Sequence, residues 1–74
     1  MEVGQVNLAQ SDYFGCDVFT VEICKWESAY QLSDILKLSM EFDGRSHFSM
    51  SKDSIICSFK NYEQAFLFKM TAEL

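Results

Sequence analysis

The residues of this 74-residue chain that most often take part in catalysis or metal binding are one histidine and three cysteines. Structural zinc is usually held by paired ligands at short spacing, whereas Cys16, Cys24 and Cys57 contain no Cys-x-x-Cys pair. A strand over residues 16–24 would hold the first two cysteines roughly 26 Å apart, too far for a disulfide. The pattern favours free thiols in a reducing cytosol and predicts neither a metal nor another cofactor.

Nucleophilic and general-base chemistry has little support in the sequence. His47 belongs to the polar side of an alternating stretch, which predicts a solvent-facing side chain. No serine lies in a Gly-x-Ser-x-Gly context that would present a nucleophile. Glu41 and Asp43 could hold a cation between them, but a solvated turn explains them better. We therefore expect a protein that is not an enzyme.

Composition and length favour one small domain over residues 1–74. The chain is 49% hydrophobic, with seven Phe, three Tyr and one Trp. At this length folding buries only about 60–65% of the surface of the unfolded chain, so a homodimer is an open alternative. No stretch approaches the ~18 apolar residues of a membrane span and no signal peptide is evident, which predicts a cytoplasmic protein without membrane contact. Residues 1–14 are the part least expected to be ordered.

Acidic charge points to a protein partner. The net charge is −5, and before Lys25 the chain carries four acids and neither Lys nor Arg. Nucleic-acid affinity rests on Lys and Arg, so direct nucleic-acid binding is disfavoured, and the expected partner is another protein with a basic surface. The alternative is that the acids only keep the protein soluble. The predicted partner-binding residues combine acids with aromatic rings: Asp12, Tyr13, Phe14, Asp17, Glu22 and Trp26.

Alternating apolar and polar residues predict a β-meander in the second half of the chain. Residues 36–42 alternate without a miss and run into Asp43-Gly44, which predicts a strand and a tight hairpin turn. A rival helix through Met40 also fits the spacing of the apolar residues from Leu32, but the alternation is the preferred interpretation. Strands over 46–51 and 54–59 complete the predicted meander.

The remaining segments complete an α+β prediction. A strand is predicted over Cys16–Trp26, and Val3, Val6 and Leu8 could form a short edge strand. Asn61, with Gln64 three residues later, predicts the N-cap of a C-terminal helix. The predicted fold is a small two-layer sandwich: an antiparallel sheet of about four strands (the strand over Cys16–Trp26, a short helical turn, then a three-strand meander) with the C-terminal helix on one face.

The C-terminal segment Ser58–Thr71 joins a strand to a helix through a recurring set of residues: Phe59, Glu63, Ala65, Phe68, Lys69 and Thr71. It resembles the ending of many short, uncharacterised proteins encoded by tailed bacteriophages, and departs from that pattern at Gln64, Met70 and Ala72. The resemblance implies a phage origin and hence the bacterial host cytoplasm. Small acidic phage proteins often bind and block host enzymes or defence complexes.

Two functions remain open at this level. The first is a non-enzymatic inhibitor, an anti-CRISPR-like anti-defence protein that occupies a basic nucleic-acid-binding surface of a host complex. The second is a structural or assembly protein that acts through homodimerisation or incorporation in a larger particle. The second is suggested by Phe66, Leu67, Phe68 and Met70, which cannot all face one small core.

Overall fold

Four strands and two helices follow one another along the chain. The computed structural model describes residues 1–11, 15–51 and 53–73. In chain order the elements are β1 (Glu2–Ser11), β2 (Cys16–Cys24), α1 (Ala29–Glu41), β3 (Arg45–Phe48), β4 (Ser54–Phe59) and α2 (Tyr62–Glu73). The strands form one antiparallel sheet in the order β1-β2-β4-β3. The predicted α+β class, with a four-stranded antiparallel sheet and the C-terminal helix packed on it, is confirmed.

The hydrophobic core lies between the helices and one face of the two central strands. Phe59 of β4 and Phe68 of α2 are fully buried, and their ring centroids lie 5.0 Å apart. The other buried members of this cluster are Val21, Ile23, Ile35, Ile55, Cys57 and Ala65. Both helices contribute to this one cluster and so lie on the same side of the sheet. On the opposite side, called the open face below because no described helix lies on it, Glu22 and His47 are exposed, whereas the buried residues are Val18, Ser54 and Ser58.

Several predicted strands are confirmed. β4 has the predicted bounds, and the edge strand suggested by Val3, Val6 and Leu8 is β1. The strand predicted over Cys16–Trp26 ends at Cys24, because Lys25 adopts a left-handed backbone conformation with φ 57°. The strand predicted over 46–51 is the shorter β3.

The strand predicted over residues 36–42 is wrong, and the rival helical interpretation is right. Residues 36–41 are the second half of α1, and Phe42 is its C-cap residue. At the other end Ser28 caps the helix by accepting a hydrogen bond from the Gln31 N–H at 3.3 Å. The buried stripe of α1 contains Ile35 and Ser39. The apolar residues of the alternating run flank that stripe, with Leu36 and Met40 on one side and Leu38 and Phe42 on the other. Leu36, Leu38 and Phe42 are half-buried against the core, and Met40 is exposed. A period of two can therefore fit a helix whose buried face is broad.

The predicted Asp43-Gly44 hairpin is also wrong, because these residues end α1. The Gly44 N–H donates to the Ser39 carbonyl at 2.8 Å, and the Asp43 N–H donates to the Met40 carbonyl at 3.1 Å. With Asp43 at φ 59°, this is the Schellman arrangement that satisfies the last carbonyls of a helix. Asp43 supplies the left-handed conformation here, whereas Gly44 is required by space: a Cβ on Gly44 would lie 2.4 Å from the Phe59 ring.

The predicted cap of the C-terminal helix is confirmed. The Gln64 N–H donates to Oδ1 of Asn61 at 2.9 Å, and α2 begins at the next residue, Tyr62. The Gln64 side chain does not make the reciprocal hydrogen bond of a capping box. It donates a weak hydrogen bond to the Asp43 carboxylate at 3.5 Å instead. This contact places the start of α2 beside the end of α1.

Candidate protein-binding surfaces

The nucleophilic side chains that the fold brings together lie at the edge of the core. The hydroxyl oxygens of Ser39 and Ser46 are 2.8 Å apart, and the Ser46 hydroxyl donates to Sγ of Cys57 at 3.6 Å. Burial raises the pKa of the Cys57 thiol, which keeps it protonated at neutral pH and therefore weakly nucleophilic. These contacts satisfy the polar group of Ser39, which is 1% exposed. Their evident effect is to fasten α1 to β3 and β4.

His47 lies on the other side of the sheet. Because successive residues of a strand point to opposite faces, Ser46 faces the helices while His47 shares the open face with Ile56 and Glu22. His47 is thus separated by the sheet from Cys57. Within residues 1–11, 15–51 and 53–73 no three His, Cys, Asp or Glu side chains form a group that could hold a metal ion. Neither described helix is long and apolar enough to cross a membrane.

The residues predicted to bind a partner do not form one patch in the part of the chain that the structure describes. Asp12, Tyr13 and Phe14 lie outside the described residues. Asp17 and Glu22 are five residues apart on β2 and so lie on opposite faces of the sheet.

Glu22 and Trp26 are each held by contacts within the protein. Glu22 is exposed on the open sheet face, where it accepts a hydrogen bond from the Ser54 hydroxyl at 2.7 Å. Trp26 follows the left-handed Lys25, packs partly buried against the core, and lies 6.3 Å from the Phe48 ring. A role of these residues in partner binding stays a prediction, but the structure gives them no common surface.

The outward side of the two helices forms a surface that mixes apolar and acidic side chains. We call it the helix surface, and its residues are Tyr30, Asp34, Lys37, Met40 and Glu41 of α1 and Glu63, Leu67 and Met70 of α2. All eight are exposed, with Tyr30 at 77% and Met40 at 73%. They point outward because the opposite sides of both helices carry the buried residues. Three acids and one lysine give the surface a net negative charge.

An open groove of about 910 Å³ runs between the two helices at one end of the helix surface. Leu36, Met40 and Asp43 line it from the α1 side, Arg45 and Ser46 line it from β3, and Lys60, Asn61 and Gln64 line it around the start of α2. The groove connects the exposed part of Met40 with the first turn of α2. Of the helix surface only Met40 lines this groove, and Arg45 and Lys60 add positive charge to it, so the groove borders the helix surface and is not part of its acidic rim.

A second apolar surface lies along the free edge of β1. We call it the edge surface, and it consists of Leu8, Phe19, Tyr62 and Phe66. Leu8 is paired with Phe19 across the strands; the Phe19 and Tyr62 rings meet edge to face at 5.6 Å, and Tyr62 stacks with Phe66 at 6.0 Å. Leu8 is 65%, Tyr62 54% and Phe66 42% exposed. The flank of α2 that carries Tyr62 and Phe66 is turned away from α1 and lies over β1 and β2.

One signal in the sequence could have located the helix surface. Ser28-x-x-Gln31 is a capping-box pattern, and in the structure Oε1 of Gln31 accepts a hydrogen bond from the Glu27 N–H at 2.7 Å. A helix begun at that cap places Tyr30, Asp34 and Glu41 on one face by their spacing alone. The edge surface has no such signal, because it joins residues from three separate elements.

Comparisons of this chain with protein-family models, with curated proteins and with solved structures give no match. The two surfaces are therefore the basis for assigning a function.

Proposed function

We propose that this protein is a non-enzymatic binding protein that docks its helix surface onto a basic surface of another protein. The observation that carries the proposal is the exposure of large apolar side chains, Tyr30, Met40, Leu67 and Met70, on a surface bordered by acids. Protein interfaces typically have an apolar or aromatic centre that excludes water and a charged rim that steers association. The helix surface has both parts.

The acidic charge defines the partner. The chain carries eleven acids against six Lys and Arg. Two of the lysines are ion-paired with acids of this same chain, Lys25 with Glu2 at 3.0 Å and Lys69 with Glu73. A basic protein surface is attracted to such a molecule over a distance of about one Debye length, whereas a phosphate backbone is repelled.

The biological role that we propose for this protein is that of an anti-defence protein of phage origin. It acts in the host cytoplasm and blocks a basic groove of a host complex that normally receives nucleic acid, as an anti-CRISPR-like inhibitor does. Support for this form comes from the small size and acidity of the chain and from the phage-like pattern of Ser58–Thr71. The mechanism is steric, because the bound protein occupies the space that the nucleic acid needs.

Paired charge reversals test this docking mode. Tagged wild-type protein is used to capture partners from a bacterial lysate, and the association rate with the purified partner is measured at several salt concentrations. Asp34→Lys/Glu41→Lys should slow association and flatten its dependence on salt, since it reverses the rim of the helix surface. The matched control is Asp17→Lys/Glu22→Lys. It changes the net charge of the protein by the same amount, but at β2 and away from the helix surface.

The two pairs separate the possible docking surfaces. A larger loss in the α1 pair supports the helix surface, and a further loss of affinity in Leu67→Lys would place its centre there. A larger loss in the β2 pair would move the interface to the residues predicted from the sequence. Equal small effects in both pairs would remove the electrostatic part of the proposal.

A structural role through self-association is the second candidate, and the edge surface specifically favours it. Leu8, Tyr62 and Phe66 expose apolar area beside an unpaired strand edge, away from the acids of the helix surface. Light scattering distinguishes the candidates. A pure protein that is dimeric and captures no host partner supports assembly, and a protein that captures a basic host partner supports inhibition.

A further inference from the structure

The two edges of the sheet are protected very differently. β3 is four residues long and carries Arg45 and His47. β1 is ten residues long, and from Val3 to Ser11 it contains no charged residue and no proline. Its one irregularity is a bulge between Val3 and Val6, which leaves the part beyond Val6 regular. Soluble proteins usually protect a free edge with charges, prolines, bulges or short strands, so the edge beyond the bulge is open to pairing.

The side chains along the free edge of β1 are compatible with antiparallel pairing to β1 of a second copy of this chain. In the regular part, Leu8 and Phe19 share the helix side of the sheet, while Asn7 and Ala9 lie on the open side. An antiparallel two-fold pair must place same-side residues opposite each other, which requires the axis to pass through a residue. With the axis at Leu8, the two Leu8 side chains meet, Asn7 faces Ala9, and Val6 faces Gln10. No like charges are brought together.

We infer that the edge of β1 and the edge surface bind a second copy of this chain, forming a two-fold dimer with one continuous eight-stranded sheet. The inference rests on the self-association proposed above and names its surface and register. The Tyr62 and Phe66 rings of each copy then cover the paired Leu8 side chains from the helix side. The helix surfaces of both copies remain open to other partners.

The available area is near what a specific dimer needs. At about 150–250 Å² for a whole aromatic side chain, the exposed fractions of Leu8, Tyr62 and Phe66 amount to roughly 300 Å² of apolar surface per copy. Two copies supply roughly 600 Å², and with about 65% apolar area in a homodimer interface this corresponds to roughly 900–1,000 Å² in total. That lies at or just below the value of about 1,000 Å² that a specific interface should exceed, in the range of weak, transient contacts. The dimer should therefore form at micromolar concentration.

Sedimentation velocity of the pure protein over about 1–100 μM is the first test. The wild type should change from the chain mass of 8.6 kDa toward twice that mass as concentration rises. Added salt should strengthen the dimer, since both copies carry a net charge of −5 and repel each other. Salt should weaken binding to a basic partner, so the two associations respond in opposite directions. A wild type that stays monomeric at all these concentrations overturns both the dimer and the assembly role.

Leu8→Lys should weaken the dimer by about tenfold or more, because it places two ammonium groups at the axis. Leu67→Lys is the matched control: it makes the same change at a half-exposed leucine of the helix surface and should leave the dimer unchanged. Circular dichroism of each variant verifies the fold, which Leu8 hardly supports at 65% exposure. A wild-type dimer that resists Leu8→Lys but is broken by Leu67→Lys would keep the assembly role and overturn the edge pairing.

Cysteine cross-linking tests the register. In a Cys16→Ser/Cys24→Ser background, which keeps only the buried Cys57, Leu8→Cys should form a disulfide between copies under mild oxidation, because the two positions face each other. Gln10→Cys should not, since its two copies would be offset by roughly 13 Å along the strands. Efficient cross-linking through Gln10→Cys and not through Leu8→Cys would overturn the proposed register.

Discussion

Gly44→Ala should destabilise the protein by placing a methyl group against the buried ring of Phe59. The Ala Cβ would lie 2.4, 2.8 and 2.9 Å from three atoms of that ring. The ring has little room to move, because Phe59 is 0% exposed and packs against Phe68. Backbone strain plays no part, since Gly44 does not have a positive φ. The substitution therefore isolates a steric effect between the end of α1 and the core.

The magnitude follows from two opposing contributions. Overpacking of a well-packed core costs about 1–3 kcal/mol. Replacing Gly by Ala lowers the entropy of the unfolded chain and returns about 0.4–1 kcal/mol. We expect a net loss of about 1–2 kcal/mol, which corresponds to a fall in Tm of about 5–15 °C for a domain of this size.

Urea unfolding followed by the fluorescence of Trp26 measures this loss, and a double-mutant cycle with Phe59→Leu identifies its cause. Phe59→Leu removes the ring edge that Gly44 approaches, so the double variant should lose less stability than the sum of the single variants, by about 0.5–3 kcal/mol. Gly15→Ala is the control. A Cβ there meets nothing within 4 Å, and its cost arises from φ 69°, so it should be additive with Phe59→Leu.

Two results would contradict a steric clash between residue 44 and the Phe59 ring. One is a Gly44→Ala protein as stable as the wild type or more stable. The other is full additivity with Phe59→Leu, which would show that Gly44 matters for a reason other than its approach to the ring.

Three further predictions concern β4 and the start of α2. Phe59→Ala should cost roughly 3–5 kcal/mol, because the ring is fully buried, and should abolish the cooperative urea transition of a domain with about 3–5 kcal/mol in total; a wild-type Tm would contradict the core assignment. Asn61→Ala should cost about 0.5–2 kcal/mol through the lost cap on the Gln64 N–H, whereas Asn61→Asp should stay near wild type in the same unfolding assay. Burial raises the pKa of the Cys57 thiol above its ordinary value of 9.0, so the folded protein keeps a proton that the unfolded chain releases. The free energy of unfolding should fall as pH rises above about 9, and this fall should be smaller in Cys57→Val; an equal fall in both proteins would assign it to other groups.

Local chemistry in the sequence determined β4 and the start of α2. Ile55, Cys57 and Phe59 alternate with polar or half-buried neighbours, and they lie on the buried side of β4 as the pattern predicts. Asn61 caps α2 because an amide oxygen at that position can accept the free N–H of Gln64, whatever the rest of the chain does. Such features depend only on residues within a few positions of one another. The α+β class follows from them.

The state of residues 36–42 was decided by tertiary structure, because two periodicities fit the same seven residues. The helix forms because its fully buried residues, Ile35 and Ser39, find partners: Ile35 joins the core cluster, and Ser39 meets Ser46 of β3. The core partners of Ile35 come from distant strands and from α2, and Ser46 is brought to Ser39 only because the chain reverses at the end of α1, so the alternating pattern could not reveal them. Most of the exposed large apolar residues that the structure describes then fall on two surfaces that only the packed molecule defines, because Leu8, Phe19 and Tyr62 meet through pairing and packing of distant segments. The sequence decides which side chains are apolar and favour burial, but the packing of the elements decides which of them stay on the surface.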